Sequence, residues 1–224
     1  MKNVVLVVVA HSDDEVISMG GTIRKHIEKG DTVMVIAMTN GVGSRDTCSE
    51  SDILERERAA EAASSILGYK WGVSCDFSDN KMDTYSLLEV VKSIEVAKEK
   101  YKPDLVYTHS TADLNIDHKI VANAVLTAFR PHPGQICREI RLFETASSTD
   151  YGHPSITGTF LPNLFIEINE TWKFKLKALK AYKTEMRKYP HSRSLLAIEN
   201  LAKIRGNQVG VEMAEAFQVI RKLL

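Results

Sequence analysis

The chain has no surplus of either charge: Lys and Arg total 29, Asp and Glu total 29, and the formal net charge is zero. Without a basic field it is not built to hold long polyanions, which argues against nucleic acid as a partner. It also lacks a long hydrophobic run. The apolar stretch Val4 to Ala10 falls far short of the roughly 20 residues a membrane-spanning helix needs. Acids follow it at once, with no small-residue cleavage pattern, so neither membrane insertion nor export is expected. Cysteine is scarce. Cys48, Cys75 and Cys137 are odd in number, widely separated and without C-x-x-C spacing, which fits reduced thiols in a cytoplasm and speaks against a cysteine-based zinc cluster. There are only 6 prolines and 12 glycines, and no repeat, low-complexity tract or clear linker, so the 224 residues read as one globular domain (1–224).

What is present is a succession of buried strands and amphipathic helices. Residues 3–10, "NVVLVVVA", form a β-branched run without alternation, the pattern of a parallel strand covered on both faces. A helix is predicted over 15–29, stopped by Gly30-Asp31, and "TVMVIAMT" (32–39) is a second strand, completing a βαβ unit. Helices are predicted over 53–68 and 86–102, and a strand over 104–109. A polar loop then enters a helix that ends near Arg130-Pro131, with further strands at "IRLFET" and "LFIEI". A helical hairpin (170–186 and 194–206) precedes "VEMAEAFQVIRKLL". The pattern predicts an α/β fold: a Rossmann-like, doubly wound, mostly parallel sheet with helices on both faces and a helical C-terminal extension.

Charge is crowded just past the first strand, in "AHSDDE" (10–15). Ser12 and Glu15 fit a capping box, yet capping gives no reason for His11, Asp13 and Asp14. Residues three apart are neighbours on a helix, so His11 and Asp14 can reach one cation, while Asp13 points elsewhere and can address a water bound to it. A second cluster, His109, Asp113, Asn115, Asp117 and His118, follows the 104–109 strand and falls on the same sheet edge if the strands are parallel. A His-Asp-His site suits catalytic zinc and equally the facial triad of ferrous enzymes; the alternative is a set of surface and capping residues. A nucleotide-binding module fits less well. The first βα turn lacks G-x-G-x-x-G, Gly20-Gly21 lies too deep in the predicted helix, and the acids would repel a pyrophosphate.

"AHSDDEVISMGGTI" resembles the A-H-P-D-D-E signature of the LmbE/PIG-L family of zinc-dependent N-deacetylases, which act on N-acetylglucosamine-containing conjugates. "ERERAAEAASSILG", "HSTADLNIDHKIVANAVLTAFRP", "FLPNLFIEINETWKFKLKAL" and "RGNQVGVEMAEAFQVIR" extend the resemblance over nearly the whole chain. It implies an LmbE-like fold, a Zn2+ ion held by His11, Asp14 and His118, and Asp13 as general base. The implied substrate is a small amino-sugar conjugate that loses its N-acetyl group, and members are often homo-oligomers. Hydrolysis of another amide on the same fold is the alternative reaction.

Two departures stand out. Ser12 replaces the family's proline, and Asn115 stands where many members carry a histidine acting as acid or oxyanion donor. Asparagine can donate a hydrogen bond but cannot carry a proton, so the acid role would move to protonated Asp13 or to another histidine. The resemblance also gives Asp117 an orienting role, with helix N-capping as its alternative. Arg56 would hold a hydroxyl or phosphate-like group, or else form a surface ion pair. His109 and Asp113 join it as substrate-binding candidates, with a purely structural role as the alternative. Loops 40–52, 76–84 and 145–162 would set substrate choice, and His153 and His191 lie in polar, proline-containing loops.

Overall fold

The computed structural model describes residues 2–44 and 49–224; Cys48 and the middle of the 40–52 loop lie outside them. The first strand, β1 (Val4–Val9), continues into α1 (Asp14–Glu28), β2 (Thr32–Ala37), α2 (Glu50–Leu67) and a two-residue strand, β3 (Lys70–Trp71). Next come α3 (Leu87–Tyr101), β4 (Leu105–His109), α4 (Ile116–Ala128), β5 (Glu139–Phe143) and a single helical turn, α5 (Pro154–Thr157). The chain ends with β6 (Leu164–Glu167), α6 (Trp172–Ala181), α7 (Leu195–Asn207) and β7 (Ala214–Lys222). The seven strands form one sheet in the order β3-β2-β1-β4-β5-β7-β6, parallel except for β7, which runs against both neighbours.

The unbroken apolar run of β1 has the expected cause. Val5, Val7 and Val9 enter the core shared with α1, α2, α6 and α7, whereas Leu6, Val8 and Ala10 enter the core beneath α3 and α4. Both faces of the strand are therefore dry, and no position favours a polar residue. Strand order reverses where β1 meets β4, and the crevice outside the carboxyl ends at such a switch point is where open α/β sheets bind ligands. Val8 pairs with Thr108, so His11 and His109 leave adjacent strands at nearly the same height.

Three local expectations are corrected. The Ser12–Glu15 capping box does not form: α1 is capped at Asp13 without a side-chain bond, because tertiary partners take both side chains. The C-terminal extension is not wholly helical, since residues from "VEMAEAFQVIRKLL" supply β7, wedged between β5 and β6. Strand β3 escaped notice because two residues carry no periodicity.

The Gly20-Gly21 pair has a structural use. Met19 has non-helical dihedrals (φ −144°, ψ 25°) that kink α1. Beyond the kink the Glu215 carboxylate of β7 accepts from Gly21 N at 3.0 Å and Thr22 N at 2.7 Å, and pairs with the buried Lys175 ammonium at 2.6 Å. A Cβ on Gly21 would stand 2.7 Å from the Ile168 side chain, so only glycine admits this close approach. The kink thus follows from a side chain inserted into the helix ladder.

Candidate active site

Three donor atoms converge at the β1/β4 switch point. His11 Nδ1 lies 3.2 Å from Asp14 Oδ2 and 3.3 Å from His118 Nε2, and His118 Nε2 is 3.4 Å from Asp14 Oδ2. All three residues are buried. His11 and Asp14 sit on the turn that ends β1, where Asp14 Oδ2 also accepts from His11 N at 2.9 Å. His118 is delivered by the first turn of α4, which Asn115 caps by accepting from Asp117 N and His118 N.

Each imidazole is held from behind. His11 Nε2 faces Asp79 Oδ1 at 3.1 Å and Asp117 Oδ2 at 3.3 Å, which assigns its proton to Nε2 when neutral and leaves the Nδ1 lone pair toward the site. His118 Nδ1 faces Asp113 Oδ2 at 3.2 Å and Ser148 Oγ at 3.3 Å, which turns Nε2 inward. The supporting carboxylates are themselves tied down. Asp117 accepts from Asn80 N and Met82 N, Asp79 from Ser44, and Asp113 from Asn115 N, Ser148 Oγ and Thr149 Oγ1.

The electrostatics favour positive charge at this point. Burial alone would lower both imidazoles, yet Asp117, Asp14 and Asp79 hold His11 well above its usual value, and Asp14 with Asp113 pushes His118 up to about 9. Asp14, which burial would raise, is pulled well below the usual carboxylate range by His118, with His11 adding to it. His109 is the exception: burial and the neighbouring His118 drop it to about 3. It stays neutral, accepts from Ala10 N through Nε2 at 2.9 Å and stacks on His118 with centroids 3.9 Å apart.

The donor set suits a divalent ion. Ligands about 2.0–2.1 Å from a tetrahedral ion stand roughly 3.3–3.4 Å apart, close to the triangle seen among His11, Asp14 and His118. Asp14 Oδ1 is buried without a hydrogen-bond partner, an orphaned acceptor that a cation would satisfy. Both histidines are already arranged to share their surroundings with a positive charge, and a metal would displace their protons.

Asp13 is buried beside this triangle and held between two guanidinium groups. Its Oδ1 lies 2.9 Å from Arg56 Nη2 and its Oδ2 3.5 Å from Arg193 Nη1. Arg56 also pairs with Glu185 at 2.9 Å and donates to Ser12 Oγ at 3.1 Å. Beneath Asp13, Glu15 Oε1 accepts from Tyr69 and Tyr182 at 2.8 and 2.9 Å. Burial is the largest cause that raises the Glu15 carboxyl, to about 7, with the Asp13 charge adding to it.

That shift has a testable sign. Between about pH 4.5 and 7 the folded metal-free protein keeps a proton on Glu15 that the unfolded chain releases, so the group costs stability as pH rises through this window. At about 1.4 kcal/mol per unit the accumulated cost is on the order of 3 kcal/mol above pH 7. Glu15→Gln keeps an acceptor for both tyrosines. It is expected to raise the melting temperature of the metal-free protein at pH 8 and leave it nearly unchanged at pH 4; equal effects at both values would refute the assignment.

The structure thus brings His11, Asp13, Asp14, Asp117 and His118 together but places the other candidates differently. His109 and Asp113, read as substrate-binding, are both buried against His118: His109 stacks on its ring and Asp113 faces its Nδ1. Arg56 is neither a surface pair nor a free anion clamp, since Asp13 and Glu185 occupy it. Asn115 spends its carbonyl on the α4 cap and its amide on Asn80 Oδ1 at 3.0 Å. That leaves Asp117 free of capping and turned to His11. His191 braces its own loop by accepting from Arg193 N, and exposed His153 caps α5. Asp79, Arg193 and Glu185 went unnoticed in the sequence. The signal available for Arg193 was only that "KYPHSRS" is a loop; for Asp79, only that 76–84 follows the second βα unit.

A family model described as PIG-L: GlcNAc-PI de-N-acetylase matches residues 6–129, more than half of the chain. The uncharacterized deacetylase YaiS of Escherichia coli is 27% identical over 186 residues, spanning 80% of this chain and 90% of its own. Among solved structures, the N,N'-diacetylchitobiose deacetylase of Pyrococcus horikoshii superposes with a TM-score of 0.79 at 23% identity, covering 98% of this chain and 84% of that one. GalB, the 4-carboxy-2-hydroxymuconate hydratase of Pseudomonas putida, reaches 0.78 at 22% identity over 100% of this chain and 98% of its own. One fold thus carries both a deacetylase and a hydratase, and the reaction must be argued from the site.

Proposed function

The chain belongs to the PIG-L family of de-N-acetylases, and from that premise we propose that it is a zinc-dependent hydrolase that removes the N-acetyl group from a small N-acetylglucosamine-type conjugate. The observation that carries the reading is the triangle of His11 Nδ1, Asp14 Oδ2 and His118 Nε2 with the Asp13 carboxylate buried beside it. A divalent ion held by these three residues supplies Lewis acidity and makes water a nucleophile near neutral pH.

The chain's own residues do the rest. Asp13 accepts a proton from the attacking water, and the water oxygen bonds to the acetamide carbon as the C–N bond breaks. The same carboxyl hands its proton to the departing nitrogen, because Asn115 can carry none and its side chain is already occupied. Acetate and a free amine result. Arg56 and Arg193 fix the Asp13 carboxylate from two sides, while Asp79, Asp117 and Asp113 set the orientation and basicity of the two imidazoles. Among the described residues no helix is long and apolar enough to cross a membrane. Cys75 and Cys137 are free thiols, which supports placing the enzyme in a reducing cytoplasm.

Zinc-loaded protein is expected to release acetate from N-acetylglucosamine conjugates, to lose that activity on chelation and to regain it when zinc is returned. An amine-release assay reads all three. Undiminished turnover by fully chelated, folded protein would exclude the metal-dependent reading.

A further inference from the structure

After β5 the chain makes the turn Thr145-Ala146-Ser147-Ser148-Thr149, and that one turn touches both halves of the catalytic centre. Its backbone closes on itself: Thr149 N donates to Thr145 O at 2.9 Å, and Thr145 N to Thr149 Oγ1 at 2.8 Å. On one side Ser148 Oγ donates to Asp113 and lies 3.3 Å from His118 Nδ1, so it steadies a metal-holding imidazole. On the other side Ser147 Oγ accepts from Arg193 Nε at 2.6 Å, and Arg193 Nη1 stands 3.5 Å from Asp13 Oδ2.

Ser147 holds a costly conformation. Its φ of 67° lies in the left-handed region, which glycine and asparagine enter at little penalty and serine does not. Among the described residues the other non-glycine cases are Asn80, an asparagine, and Lys102, which ends α3. Neither reason applies to Ser147. Glycine would fit the turn better but would offer Arg193 no acceptor, so the strain is the cost of keeping the hydroxyl.

Arg193 depends on that acceptor. It reaches Asp13 from 180 positions farther along the chain, on a side chain that is 22% exposed, whereas Arg56 is buried and held by Asp13 Oδ1, Glu185 and Ser12. A guanidinium is planar and rigid, so fixing the direction of Nε fixes where Nη1 points. Without Ser147 the side chain would regain the rotamers open to it in solvent.

We propose that Ser147 is a positioning residue for the acid–base step: it aims Arg193 at Asp13 Oδ2 and so holds the carboxylate in the attitude that proton transfer needs. The proposal rests on the deacetylase reading for its purpose and on the Ser147–Arg193–Asp13 chain for its geometry.

Two substitutions separate this role from a merely structural one. In the zinc-loaded protein Ser147→Gly, which relaxes the backbone and removes the acceptor, is expected to lower kcat for acetate release about tenfold, with KM within about twofold and the melting temperature no lower. Ser147→Asn tolerates the same φ and brings a carbonyl oxygen, and is expected to restore kcat to within about threefold of the original. Arg193→Gln should lose about as much as Ser147→Gly, and the double variant scarcely more, because both break one chain of contacts. The Arg193 Nε–H gives a readout without turnover. Identified in a proton–nitrogen spectrum by its disappearance in Arg193→Gln, it is expected to exchange slowly with solvent in the unaltered protein and fast in Ser147→Gly. Unchanged kcat in Ser147→Gly, no recovery in Ser147→Asn, or losses that multiply in the double variant would overturn the positioning role and leave the deacetylase standing. Fast exchange in the unaltered protein would overturn the grip itself. No acetate release by the unaltered protein, with that proton still protected, would instead remove the deacetylase reading and the catalytic purpose of Ser147 with it.

Discussion

Asp13→Asn is expected to lower turnover by about 10²–10⁴-fold, the usual contribution of a positioned acid–base group, while the zinc content stays near that of the unaltered protein. The replacement has the same shape but cannot accept the water's proton, and none of the three convergent donor atoms belongs to it. Its side effect must be measured too. Arg56 is buried, and losing the Asp13 charge leaves Glu185 to oppose it alone. Breaking one arm of a buried pair can cost several kcal/mol. Thermal melting therefore has to accompany the kinetics: a loss of rate in protein that melts normally belongs to the chemistry. Turnover within about tenfold of the original would show that another group carries the proton.

The ligand triangle is expected to separate into two tiers of effect. His118→Ala or Asp14→Ala removes a donor atom and should leave zinc too weakly held to survive dialysis, with activity lost alongside it. Asp117→Asn changes no donor but weakens the grip on His11 Nε2, and a loss of about 10–100-fold in zinc affinity is expected. Competition with a chromophoric chelator distinguishes the tiers. If Asp117→Asn bound zinc as tightly as the original, its contacts to Asn80 N and Met82 N would be its whole purpose.

Much of this centre could be read in the sequence because its parts are local. The turn from His11 to Asp14 lies within four residues, and the parallel register of β1 and β4 follows from two apolar runs, so the approach of His118 was foreseeable. What escaped depends on contacts between distant segments. Nothing near Glu15 announces Tyr69 and Tyr182, whose hydroxyls draw it away from a capping box and into the interior. Arg56 looked like a free cation in a charge-rich helix because Glu185 is far along the chain. Asp79 reaches His11 from a turn after a strand too short to show a pattern. His109 carried the residue type of a ligand, but the Ala10 amide occupies its inward nitrogen.

The bond between Glu215 and the kinked stretch of α1 sets an order of events during synthesis. Gly21 and the carboxylate that receives its N–H are 194 positions apart, so this bond cannot form until almost the whole chain has been made. The helix that carries Asp14 is thereby one of the first segments to leave the ribosome and one of the last to be completed. A nascent chain halted before β7 would hold both halves of the metal triangle in sequence and still lack the carboxylate that accepts from Gly21 and Thr22.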